Sequence, residues 1–283
     1  MNAGARLAAF GVSLVAALGV GAGIGAIAGP SPAPTEDEAP APLGEGVVAA
    51  FDGYRLVPAT AELDPDGGTF EFRLEDPDGR PVLDVEPTHE RDLHLIVVAR
   101  DLSVFRHVHP ELTDDGTWQV DLDPLPAGSY RAIADVMIAD GPRLALGTDL
   151  AVAGPLTPQP LADPSPTTTV DGYEVSLATE RGDGGEVTAT LVVRKEGTVV
   201  ELEPYLGAKG HLVALRAGDL AYAHVHPIEH RSHAPERSVS FDATLPVAGR
   251  YGLFFDFKHD GEVRTASFTF DQGTVRGAAP MEH

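Results

Sequence analysis

An internal repeat constrains this chain more than any other feature. Displaced by the interval from His94 to His211, the sequence falls on itself without a gap through its centre. Val82, Glu86, Pro87, His94, Leu95, His107, Val108, His109 and Pro110 land on Val199, Glu203, Pro204, His211, Leu212, His224, Val225, His226 and Pro227. After a small length change, Leu125, Pro126, Gly128, Tyr130 and Asp135 land on Leu245, Pro246, Gly249, Tyr251 and Asp256. Chance does not place three histidines in register twice. Two copies of a unit of roughly a hundred residues mean two tandem domains of one fold, and 283 residues leave room for both.

The local patterns say which fold. Residues 69–74 and 186–192 alternate apolar with polar, the mark of a half-buried strand, and 118–122 and 239–245 do the same. Residues 93–99 and 211–215 are apolar on both faces, as inner strands are. Residues 130–138 and 251–257 follow a Pro-x-Gly or Pro-x-x-Gly turn, and no stretch beyond residue 46 sustains a helical period with caps. The expected fold class is all-β: two tandem Ig-like β-sandwich domains after one N-terminal transmembrane or signal segment. The first repeat takes residues 47–153 and the second 169–272. A Pro-, Ala- and Thr-rich linker covers 154–168, and 273–283 form a tail.

Residues 7–28 carry no charge, and at about 1.5 Å per residue they can cross a bilayer. Ala26, Ile27 and Ala28 also offer a small-x-small cleavage site. Residues 1–29 therefore read as a transmembrane anchor or a signal peptide, followed over 30–46 by a Pro/Ala/acidic spacer. Arg6, the one basic residue before the run, is expected to stay inside. The protein is expected at the cell membrane, single-pass with its domains extracytoplasmic, or secreted if the segment is cleaved. A net charge of −23 argues against nucleic-acid partners. Zero cysteines exclude disulfides, thiolate metal sites and thiol catalysis. Nothing in the sequence names a protein partner.

The histidines carry the chemistry. A turn near residue 101 sets His94 opposite His107 or His109 on paired strands, and those two, being two apart, share one face. The second repeat offers His211, His224 and His226 in the same way. Neutral imidazole binds Cu(II) or Zn(II), and three nitrogens plus one further ligand make an open site. Asp135 and Asp256, which repeat on a strand of the same domain, are candidate fourth ligands or strand-edge hydrogen-bonding groups. The expected function is extracytoplasmic metal carriage, buffering or sensing through a triplet in each repeat. The alternative is a non-catalytic interaction module in which the histidines brace the hairpins. His89, His230, His233, His259 and His283 lie outside the shared design and read as solvent-facing. No His-Glu-x-x-His, Gly-x-Ser-x-Gly or phosphate-cradling loop is present, so an enzyme is not the expectation.

The strings DLHLIVVARDLSVFRHVHPEL and EPYLGAKGHLVALRAGDLAYAHVHP look like a module of exported actinobacterial proteins. The Leu-Pro-x-Gly-x-Tyr turn resembles that of periplasmic copper-resistance β-sandwich proteins. That likeness implies an Ig-like or cupredoxin-like fold and copper handling outside the cytoplasm. The family's free N-terminal histidine ligand has no counterpart here. A partial likeness to cupins, carried by Gly218, His224 and His226, keeps a double cupin as the alternative fold. Glu229 is one residue early for that pattern, and Arg131 stands where a cupin has histidine.

Overall fold

The computed structural model describes residues 45–223, 225–228 and 234–273. The first repeat contributes β1 (Ala50–Phe51), β2 (Tyr54–Pro58), β3 (Glu62–Leu63), β4 (Gly68–Glu75), β5 (Val85–Glu86), β6 (Leu93–Ala99), β7 (Phe105–Val108), β8 (Glu111–Leu112), β9 (Trp118–Leu122), β10 (Gly128–Ile138) and β11 (Arg143–Val152). The second contributes β12 (Thr167–Val170), β13 (Tyr173–Arg181), β14 (Glu186–Lys195), β15 (Thr198–Val199), β16 (His211–Arg216), β17 (Tyr222–Ala223), β18 (Val225–Ile228), β19 (Val239–Thr244), β20 (Gly249–His259) and β21 (Glu262–Gln272). The expected all-β class holds: two tandem Ig-like sandwiches, with one 3₁₀ turn at Asp183–Gly185.

Each sandwich has two sheets. In the first, β1-β2-β4-β9-β8 faces β3-β11-β10-β6-β7, and β5 joins the edge of β10. In the second, β12-β13-β14-β19-β18, with β15 beside β14, faces β17-β16-β20-β21. Alternation along the strands fills the space between the sheets. Phe70, Phe72, Leu93, Leu95, Val97, Trp118 and Tyr130 are buried in the first core, with Tyr173, Leu191, Phe241, Phe255 and Phe257 in the second. Tyr130 Oη donates to the Pro126 carbonyl (2.6 Å) and Tyr251 Oη to Val247 (2.9 Å). The same corner tyrosine thus closes the Pro-Gly turn in both copies, as in Ig-like sandwiches. No cupin barrel forms. Arg131 donates instead to the Gly46, Val47 and Gly147 carbonyls and to Asp149.

A third apolar cluster joins the two sandwiches. Ile96, Val98, Phe105 and Ile133 of the first pack with Val213, Leu215, Leu220 and Phe254 of the second. Phe105 and Phe254 stack with ring centroids 4.1 Å apart and planes 5° from parallel. Strands β6 and β16 are apolar on both faces because each covers its own core with one face and the partner sandwich with the other. Among the described residues no helix is long and apolar enough to cross a membrane. The apolar segment 7–28 lies outside them.

Candidate metal centre

The polar residues of the repeat collect at one end of this seam. Strands β6 and β7 pair with Leu95 opposite Val108 and Ile96 opposite His107. Continuing that register sets His94 opposite His109, and the period of two puts all three imidazoles on the seam face. Their ring centroids are 5.2 Å (His94–His107), 5.0 Å (His94–His109) and 5.0 Å (His107–His109) apart. One nitrogen from each ring lies within 4.8 Å of the others. Rings sharing a tetrahedral ion have this spacing: with metal–nitrogen bonds of about 2.0–2.1 Å, two ligating imidazole centroids stand roughly 5 Å apart.

Hydrogen bonding fixes which nitrogens face inward. His94 Nε2 lies 2.9 Å from the Thr88 carbonyl, which can only accept, so Nε2 carries the proton and Nδ1 keeps its lone pair. His107 Nδ1 lies 2.8 Å from Asp256 Oδ2, again an acceptor, leaving Nε2 as the lone pair. Those two lone-pair nitrogens face each other at 2.9 Å. Two neutral rings cannot satisfy this arrangement, because reversing either tautomer opposes a lone pair to a carbonyl or a carboxylate. A metal ion between them would satisfy both lone pairs at once. His109 Nε2 is buried with no hydrogen-bond partner, a second unfilled acceptor or donor in the same cluster.

Burial holds His94, His109 and His211 close to neutrality. Desolvation, then the charge of neighbouring His107, pushes His94 down to about 4. Desolvation, then His107 and His94, takes His109 to about 3, and desolvation with His107 and His89 takes His211 to about 4. The sign follows from proton counting. Between the ordinary value of 6.5 and these depressed values, the unfolded chain binds more protons than the folded one. The metal-free protein should therefore keep full stability above pH 6.5 and lose it as the pH falls toward 4, by up to about 1.4 kcal/mol per pH unit for each ring. Urea midpoints measured in chelator from pH 8 to pH 4 check this; a flat profile would contradict it.

Asp256 stands behind the triplet. It pairs in register with His211 on β16, and its side chain is 3% exposed. Oδ2 accepts from His107 Nδ1 across the seam, and Oδ1 accepts from Thr265 Oγ1. The structure thus puts it on the far nitrogen of a candidate ligand, the position from which a carboxylate orients an imidazole and raises its basicity. Asp135, in register with His94, accepts both Arg143 nitrogens (3.0 and 2.8 Å) and Tyr222 Oη (3.0 Å). His211 faces the triplet, its ring 6.1 Å from His107 and 6.3 Å from His94.

The second repeat departs from the first where the chain leaves its inner sheet. Strand β18 pairs with β19, placing His226 in register with Asp242 and largely exposed. His224 lies outside the described residues, as do His230, His233 and His283. The solvent-facing reading of two others needs correction. His89 is half-buried, 6.0 Å from His94 and 5.1 Å from His211 by ring centroid. His259 accepts or donates at 2.9 Å from Tyr173 Oη, with its side chain 18% exposed. A cleft of about 480 Å³ runs beside the site, lined among others by Phe105, His107, Tyr205, Asp256 and Thr265.

No curated protein sequence matches the chain. Among solved structures, a DUF4426 family protein from Pseudomonas aeruginosa matches 38% of this chain and 96% of its own length at 11% identity, with a TM-score of 0.30. A Salmonella alpha-2-macroglobulin mutant matches 84% of this chain and 16% of its own length at 14% identity, with a TM-score of 0.28. A bacterial integrin-binding invasin matches 78% of this chain and 40% of its own length at 12% identity, with a TM-score of 0.22. None of these likenesses bears on the site. A family model matches each repeat in turn and brings no copper-resistance name with it. Matched over residues 49–152 and again over 168–274, the chain belongs to the DUF8832 family, described as a domain of unknown function.

Proposed function

We propose that this protein binds Zn(II) or Cu(II) at the seam between its two sandwiches, with His94, His107 and His109 as ligands. The supporting observation is the pair of lone-pair nitrogens held 2.9 Å apart by Thr88 and Asp256, an arrangement that a cation between them would satisfy. The absence of cysteine and the neutral nitrogen donors favour a borderline divalent ion over Cu(I). The role is carriage or buffering of the ion outside the cytoplasm, with the apolar segment 7–28 as tether or export signal.

Calorimetric titration of the full chain with Zn(II) tests this. One tight equivalent is expected above pH 6.5, with affinity falling as the pH drops toward 4 and protons compete for His94 and His109. Asp256→Asn should weaken that equivalent by about 10–100-fold, the usual cost of losing the partner behind a metal-bound imidazole. Absence of tight binding would sink the proposal.

One observation favours a second reading, in which the histidines brace the fold. His94 Nε2 donates to the carbonyl of Thr88, and His211 Nε2 faces that of Tyr205, the same position of the repeat. On that reading, replacing a triplet histidine lowers the melting temperature equally with and without chelator.

A further inference from the structure

We infer that the seam holds a second cation position beside the triplet, formed by His89 of the first sandwich and His211 of the second. The inference rests on the metal-binding reading above and deepens it, making the site a pair of adjoining positions shared by both domains. The His89 and His211 rings stand 5.1 Å apart, between the 5.0 and 5.2 Å centroid separations found within the triplet. His211 Nε2 faces the Tyr205 and Leu206 carbonyls at 3.1 and 3.2 Å, so it carries the proton, and Nδ1 is left as a lone pair. At 6.1 and 6.3 Å from His107 and His94, the His211 ring is about 1 Å too far to complete the triplet's own shell. It is close enough for an ion on Nδ1 to adjoin one in the triplet.

His89 marks where the two repeats part. The bridged turns Thr88–Arg91 and Tyr205–Ala208 are copies of each other. Each carries a left-handed residue at its second position, His89 at φ 50 and Leu206 at φ 53. The second repeat buries its leucine there (5% exposed). The first repeat spends the same strained position on an imidazole laid against the partner domain's histidine. Bracing needs no such exchange, since Thr88 and Tyr205 already hold His94 and His211. With only two protein nitrogens, this position binds more weakly than the triplet and keeps open coordination sites for water, which suits entry and exit of the ion.

Titration of the full chain with Cu(II), followed by calorimetry and electron paramagnetic resonance, tests the inference. Two equivalents are expected, the second at least tenfold weaker, with a half-field signal from coupled Cu(II) ions once both are bound. His89→Leu installs the residue that the second repeat carries at this position. It should remove the weaker equivalent and the coupling while leaving the tight one. His211→Gln, which keeps a donor for the Tyr205 carbonyl, should do the same. A single equivalent, or a second that survives both substitutions, would overturn the second position and leave the triplet intact. No tight equivalent at all would remove both.

Discussion

Replacing His109 with alanine should weaken Zn(II) binding by at least about a hundredfold while leaving the metal-free protein nearly as stable as before. The two halves of this result come from the same atom. His109 Nε2 is buried without a partner, so deleting the ring removes an unsatisfied polar group along with some packing. The net change in chelator should stay within about 1 kcal/mol, because relief of desolvation offsets lost contacts. With zinc at a thousand times its Kd, the unsubstituted protein should gain about 4 kcal/mol of apparent stability, and the variant no more than about 1.4 kcal/mol. Thermal melts with and without EDTA read both quantities. His107→Ala is a poorer probe. It would strand the Asp256 carboxylate, whose side chain is 3% exposed, and so destabilise the fold whatever the role of the ring.

Phe254→Ala should cost about 3–5 kcal/mol, the range for deleting a large buried aromatic. The ring is 2% exposed and stacks on Phe105 of the other sandwich, so its loss opens the seam rather than one domain's core. Phe254 lies two residues before Asp256 on β20, with both side chains on the seam face, so the cavity should also loosen the carboxylate that orients His107. Zinc affinity should fall by roughly tenfold or more alongside stability, by the reasoning that a loosened supporting partner weakens a ligand. Phe70→Ala, a fully buried ring of the first core away from the seam, is the control. It should lower stability similarly and leave the affinity of the folded protein unchanged. Equal affinity losses in both variants would break the link between seam packing and the site.

Strands β6 and β9 were legible in the sequence to the residue, and β4, β10, β14, β16, β19 and β20 to within a few positions, because a half-buried or fully buried strand writes its environment into its apolar pattern. Strand β11 was not. Leu144 and Leu146 face the first core while Ala145 faces the seam, and its second half is partly exposed, so no single period runs through it. Apolarity on both faces of β6 and β16 did mark burial on two sides. It did not say that the second cover is the partner sandwich.

The convergence of His94, His107 and His109 followed from spacing alone, since register and the period of two are local properties. What spacing could not reach was the far side of the seam. Asp256, His211 and Tyr222 meet residues of the other repeat, and pairing across two domains leaves no periodic trace. His89 was set aside because its counterpart is Leu206, yet that mismatch was the one signal available. A position at which a duplicated turn swaps a buried leucine for a histidine is a place where the copies have taken different work.

Diffraction from crystals of the zinc-loaded protein, recorded on both sides of the zinc absorption edge, addresses the central claim most directly. The expected result is an anomalous peak within about 2.0–2.1 Å of ring nitrogens from His94, His107 and His109, with Asp256 still bonded to His107 Nδ1. A peak elsewhere on the chain, or none at the seam with zinc in excess, would contradict it.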